Sequence, residues 1–71
     1  MTSNLWTVET NATPGGVQAV WADTARLRNR SQPGISQAGR LGVEVTLDKE
    51  TAHLLSKELR ACGYETAIGK L

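Results

Sequence analysis

The sequence predicts a small α+β fold, in which a mixed sheet of about four strands carries one amphipathic helix on one face. Short segments in which apolar and polar residues alternate indicate strands, and one segment with apolar residues three and four positions apart indicates the helix. The predicted order is β-β-β-α-β, and a strand–helix–strand crossover usually makes its two strands parallel. With 71 residues, the chain is expected to form a single domain, residues 1–71.

The first two strands are predicted at residues 5–10 (LWTVET) and 17–23 (VQAVWAD), joined in a hairpin. The intervening residues 13–16 (TPGG) have turn chemistry, because proline presets φ and glycine accepts the positive φ that a type II turn needs next. If the residues that face each other across the hairpin have numbers that add to 27 or to 29, five residues share one face. This face is the predicted core side, and it consists of Trp6, Val8, Val17, Ala19 and Trp21.

The clearest strand is predicted at residues 41–47 (LGVEVTL), and it is followed by a helix at about 49–62. Asp48 is the predicted N-cap. The apolar helix face recurs at i, i+3, i+7 and i+10 as Ala52, Leu55, Leu59 and Cys62.

The end of this helix is also predicted. Gly63 is expected at the C′ position in the left-handed conformation, with Tyr64 packing on Leu59. A final strand is predicted at residues 64–68. Cys62 is expected to be a small core residue, because free cysteine is commonly buried.

The segment at residues 24–40 (TARLRNRSQPGISQAGR) is predicted to be an arginine-rich loop or extended arm. It holds four of the eight basic residues and none of the seven acids, so the rest of the chain carries a net charge of −3. One interpretation is a solvated linker, or an edge strand protected by charge. The other is a contact surface for phosphate or for acidic groups of a protein, formed by Arg26, Arg28, Arg30 and Arg40.

A second set of basic residues forms a ridge beside the apolar face of the predicted helix. These residues fall at i, i+4, i+8 and i+11, and they are Lys49, His53, Lys57 and Arg60. Such a ridge is typical of a solvated helix face, and it is also a candidate contact surface. If the loop folds toward the ridge, the two sets would form one basic patch.

The sequence favours a protein that is not an enzyme. The single histidine lies on the basic ridge, and the single cysteine lies at the C-terminal end of the helix, where the dipole disfavours a thiolate. No metal or cofactor motif is recognisable in the sequence. The N-terminus does not have the pattern of a signal peptide, so we expect a cytoplasmic protein that does not cross a membrane.

Two parts of the sequence resemble known families locally. The stretch VEVTLDKETAHLLSKEL, at residues 43–59, resembles the strand and first helix of ribbon-helix-helix DNA-binding regulators, although Glu44 and Thr46 stand where that family presents residues to DNA. The run from Leu41 to Ile68, with LSKELRACGYET, looks like one half of a ferredoxin-like βαβ, as found in SPOR-type peptidoglycan-binding domains. The second resemblance implies local architecture and no particular function.

Three functions follow as expectations. The first is a protein-binding module or inhibitor that covers an acidic surface of its partner, a class of small proteins that includes phage-encoded inhibitors of bacterial defence such as anti-CRISPR proteins. The second is a nucleic-acid-binding regulator that uses the arginine-rich segment and the basic ridge. The third is a structural subunit of a larger assembly. A homodimer is a reasonable expectation, because so short a chain has a marginal core.

Overall fold

The computed structural model describes residues 5–71, which form one four-stranded sheet and three helices. In chain order the elements are β1 (Leu5–Thr10), α1 (Pro14–Asp23), α2 (Ala25–Arg28), β2 (Ile35–Ser36), β3 (Val43–Asp48), α3 (Lys49–Ala61) and β4 (Thr66–Lys70). The predicted α+β class, with about four strands and an amphipathic helix on one face, is confirmed. If α1 and α2 are counted as one helical segment, the element order is β-α-β-β-α-β, which is that of a ferredoxin-like, or split βαβ, arrangement.

The strands lie in the order β2-β3-β1-β4, and all three pairings are antiparallel. Because β3 and β4 each pair with β1, they run in the same direction, as the crossover through α3 predicts. They are not hydrogen-bonded to each other, since β1 lies between them. The pairings are therefore antiparallel throughout, whereas a mixed sheet was expected.

The predicted hairpin is wrong, because residues 17–23 belong to α1 and not to a strand. Thr13 is the N-cap of this helix, and its hydroxyl oxygen accepts a hydrogen bond from the Gly16 N–H at 3.0 Å. Pro14 follows as the first helical residue, where its missing N–H is not needed. The buried residues of α1 are Val17, Val20 and Trp21, which have the three- and four-residue spacing of a helix face. Ala19, which was predicted on the core side of a strand, is exposed.

The strand–helix–strand half of the chain agrees with the prediction, with shifts of up to two residues at the strand ends. The Asp48 carboxylate caps α3 by accepting from the Thr51 N–H at 3.2 Å. At the other end Gly63 has φ +91°, and the Tyr64 N–H donates to the Leu59 carbonyl at 3.1 Å, as in a Schellman motif.

The expected burial of Cys62 is wrong, because this residue is exposed. It is the C-cap of α3, one residue beyond the last helical turn, so the apolar spacing no longer places it over the sheet. The half-buried Tyr64 packs against the core instead.

The core lies between the sheet and the helices. The inward face of the sheet carries Val8 of β1 and Val45 of β3, both fully buried, and α3 covers it with Leu55 and Leu59. On the opposite face Glu9 stands directly across from Glu44, and both side chains are partly exposed. The sheet therefore has one packed face and one face that carries acidic groups.

Candidate functional site

The arginine-rich segment is not one continuous loop. Its first residues form the short helix α2, and the fully buried Leu27 fixes this helix against the core. Arg26 and Arg28 of α2 are exposed. Near the other end of the segment, Arg40 is exposed, and its backbone N–H donates to the Glu9 carboxylate at 2.7 Å. Arg26, Arg28 and Arg30 thus lie in or just after α2, whereas Arg40 lies beside Glu9 of β1.

Arg30 ties the end of α2 to the start of α3. Its guanidinium donates to the Glu50 carboxylate at 2.9 Å and to the Thr51 hydroxyl at 2.8 Å. A third hydrogen bond, from its Nε–H to the Arg26 carbonyl at 3.3 Å, holds Arg30 to α2. These contacts give Arg30 a structural role in this chain.

The Arg30 contacts continue into the helix cap. The Thr51 hydroxyl donates to the Asp48 carboxylate at 2.6 Å, and this hydrogen bond is the largest cause that lowers the pKa of Asp48 from its ordinary value of 3.8. The Thr51 backbone N–H and the charge of Arg30 lower the pKa further, while desolvation opposes them. The start of α3 is therefore a connected polar network that is anchored to α2.

A groove of about 570 Å³ lies where α2 faces α3, and we call it the helix groove. Its lining consists of Arg26, Lys49, Glu50, His53, Leu54 and Lys57. Three fixed positive charges meet one carboxylate there, and that carboxylate already pairs with Arg30. Four of the eight predicted contact residues thus line one groove, and Arg26 is the one among them that comes from the arginine-rich segment.

Trp6 supports one end of the helix groove. Its ring centroid lies 5.6 Å from that of His53, and the Lys49 ammonium lies 5.5 Å from the centre of a Trp6 ring, within cation–π range. The His53 Nδ1 atom lies 2.8 Å from the Lys49 carbonyl oxygen, so Nδ1 carries the hydrogen and donates it. These contacts orient the two ridge residues nearest the start of α3.

A second groove, of about 830 Å³, lies where β1 ends and where β3 and β4 begin, and we call it the sheet-end groove. It is lined by Glu9, Arg40, Leu41, Arg60, Tyr64, Glu65, Thr66 and Ala67. Two of the predicted contact residues, Arg40 and Arg60, therefore lie here and not in the helix groove. Arg28 lines neither groove.

Sequence reasoning missed several residues of both grooves. The sequence places Trp6 on the predicted core side, with an exposed binding patch as the alternative, and its contacts with the basic ridge were not predicted. Glu9 meets the Arg40 backbone across 31 positions of sequence, and no local pattern could have indicated this contact. Leu54 had a signal, because it widens the apolar face of α3 toward its basic ridge.

The local resemblance to ribbon-helix-helix regulators does not extend to the structure. That motif continues with a second helix, whereas here α3 is followed by β4, and β3 pairs with β1 on one side and with β2 on the other. β1 pairs with all six residues of β3, and β2 pairs with Glu44 and Val45 on the other edge. The βαβ resemblance matches β3, α3 and β4, with β1 inserted between the two strands.

Comparison with known proteins found no matching family, no curated protein and no solved structure with significant similarity to this chain. Within residues 5–71, no helix is long and apolar enough to cross a membrane. The same residues contain no cluster of three or more histidine, cysteine or acidic side chains arranged to hold a metal ion.

Proposed function

We propose that this protein is a non-catalytic protein-binding module that docks an acidic segment of its partner in the helix groove and acts by covering the partner's surface. The observation that carries the proposal is the convergence of Arg26 on α2 with Lys49, His53 and Lys57 on α3. An inhibitor that covers a functional surface, of the kind that phages encode against bacterial defence, would work in this way.

The charges of the helix groove favour an acidic partner. Arg26, Lys49 and Lys57 form no salt bridge within residues 5–71, and the Glu50 carboxylate is occupied by Arg30. An approaching carboxylate therefore meets uncompensated positive charge, which speeds association and selects the partner. Arginine and lysine also have apolar stems, which together with the half-buried Leu54 can cover an apolar side chain.

The same geometry favours a protein over a nucleic acid. The distance along α3 from Lys49 to Lys57 is about 12 Å at 1.5 Å per residue, so the basic surface is short. Arg40 and Arg60 do not extend it, because they lie in the sheet-end groove beside Glu9 and Glu65. A continuous track for a phosphate backbone, which the nucleic-acid alternative needs, is not supported by this arrangement.

The test is affinity capture followed by measured binding. The double charge reversal Arg26→Glu/Lys57→Glu is compared with Arg28→Glu/Lys70→Glu, a control that changes the net charge equally at exposed positions outside both grooves. We expect a partner that the wild type and the control recover, and that the first variant loses. With the purified partner, calorimetry should show at least a tenfold weaker Kd, which is about 1.4 kcal/mol.

Two results would contradict the proposal. Equal recovery of the partner by both double variants would remove the helix groove as the contact surface. Tight binding to DNA or RNA fragments at low salt, with affinity that falls steeply as salt rises, would favour the nucleic-acid alternative.

A further inference from the structure

The sheet-end groove shares no residue with the helix groove, and its charges are balanced. Arg40 and Arg60 supply two positive charges, and Glu9 and Glu65 supply two negative charges. Its volume of about 830 Å³ lies within the range of small-molecule sites, which is about 300–1,000 Å³. What this groove binds is thus a separate question from the partner of the helix groove.

The lining side chains are held in place by contacts within the chain. The Glu9 carboxylate accepts from the Arg40 N–H at 2.7 Å through one of its oxygens. The Arg60 Nε–H donates to the Thr66 hydroxyl at 2.9 Å, and that hydroxyl shares a further hydrogen bond of 2.6 Å with Ser56. One acid and one arginine are therefore oriented before any ligand arrives, which lowers the cost of binding.

The arginines and glutamates of this groove are not paired with one another. Within residues 5–71 no salt bridge joins the arginines to the glutamates of this groove. The Arg40 guanidinium and the Arg60 Nη atoms also form no hydrogen bond among these residues. Each arginine can therefore still bind a carboxylate, and Glu9 keeps one oxygen for a cationic donor.

The balance of charge limits the class of ligand. A simple anion would be repelled by Glu9 and Glu65, and a simple cation by Arg40 and Arg60. A ligand that carries both charges satisfies both pairs. Between the charged groups, the groove is lined by Leu41, by the ring of Tyr64 and by Ala67, and these suit an apolar side chain.

We propose that the sheet-end groove binds an α-amino acid with an apolar side chain. Its carboxylate lies against Arg40 and Arg60, its ammonium group lies against Glu9 and Glu65, and its side chain packs on Leu41 and Tyr64. Because the helix groove contributes nothing to this site, the inference does not depend on the proposed protein partner.

The test is an NMR titration of the amide signals with three matched probes. L-leucine has both charges, 4-methylpentanoate lacks the ammonium group, and 3-methylbutylamine lacks the carboxylate. We expect saturable shifts at Arg40, Tyr64 and Glu65 with L-leucine, with a Kd of about 1 mM or tighter, and at least tenfold weaker binding of the other two probes. The amides of His53 and Lys57 should not move.

Two variants remove one charge each and keep the groove's shape. Arg40→Gln changes a guanidinium that forms no hydrogen bond or salt bridge among residues 5–71, and Glu9→Gln retains the oxygen that accepts from the Arg40 N–H. Each should weaken L-leucine binding at least tenfold, while Arg28→Gln, outside the groove, should leave it unchanged. Absence of saturable shifts, equal binding of either single-charge probe, or unchanged affinity in both glutamine variants would overturn the proposal.

Discussion

Replacing Asp48 with alanine should destabilise the protein by about 2 kcal/mol, because this carboxylate both caps α3 and anchors the polar network with Arg30. It accepts from the Thr51 N–H at 3.2 Å and from the Thr51 hydroxyl at 2.6 Å. In general, removal of an N-cap side chain costs about 0.5–2 kcal/mol. The upper end applies here, because Thr51 is only 3% exposed and its orphaned N–H, shielded from water, adds about 1 kcal/mol or more.

This loss is large for so small a domain. At about 0.05–0.15 kcal/mol per residue, the total stability of a 71-residue chain is about 4–11 kcal/mol. For a domain of this size 1 kcal/mol corresponds to about 4–8 °C in Tm, so the Asp48→Ala protein should melt about 8–16 °C lower. Urea denaturation at pH 7, with an unchanged m-value, measures the free energy directly.

The same residue gives a pH dependence with a defined sign. The pKa of Asp48 is lowered in the folded state from 3.8, chiefly by the hydrogen bond from the Thr51 hydroxyl. A lowered carboxyl pKa contributes stability that is present above pH 3.8 and is lost as the pH falls through the folded-state pKa. Wild-type stability should therefore decline in this acid range more than that of Asp48→Asn, which has no carboxylate to protonate.

Asp48→Asn is also the control for the capping argument. Asparagine caps helices about as well as aspartate, but its amide has only one accepting oxygen. This variant can keep the hydrogen bond from the Thr51 N–H and should lose the one from the Thr51 hydroxyl, so it should cost about 1 kcal/mol at pH 7, less than alanine. The reasoning would be refuted if asparagine costs as much as alanine, or if alanine costs less than about 0.5 kcal/mol. The pH argument would be refuted if the free energies of unfolding of the wild type and Asp48→Asn fell by the same amount as the pH is lowered.

Two further substitutions test the sheet. Glu44→Lys should raise the free energy of unfolding by about 0.5–1 kcal/mol in urea denaturation, because it turns the like-charged pair with Glu9 into an opposite-charged one. No gain, or a loss, would show that the two carboxylates do not repel each other. Gly39→Ala should cost about 1–2 kcal/mol in the same assay, since Gly39 has φ +84° and an added Cβ would collide with the Glu9 carboxylate unless that side chain shifts. An unchanged midpoint would contradict that estimate.

The hairpin prediction failed because residues 17–23 satisfy two patterns. Val17, Ala19 and Trp21 alternate as a strand would, while Val17, Val20 and Trp21 have the spacing of a helix. The preceding residues do not decide between the two patterns, because threonine followed by proline is a helix start as well as a turn. Pro14 fits both, and the two patterns differ at Ala19 and Val20: the structure buries Val20 and exposes Ala19, as a helix requires.

The second half of the chain was predictable because its local signals agree with one another. Asp48 before the apolar helix face and Gly63 after it bound α3 from both sides, and the structure has both features. The grooves could not be predicted in the same way. Each depends on contacts between distant residues, such as Arg30 with Glu50 and Arg40 with Glu9, and no periodicity records which segments meet.

The division of the basic residues between two grooves follows from the length of α3. Thirteen residues span about 20 Å, so the helix reaches from the Trp6 end of β1 to the end at which β4 begins. Lys49 and His53 consequently lie beside Trp6, while Arg60 reaches Thr66 at the opposite end. A ridge that is continuous on one helix therefore contributes to two surfaces, one with excess positive charge and one in which charges balance. Substitutions along α3 must accordingly be assigned by groove, because Lys57 and Arg60, only three residues apart, line different ones.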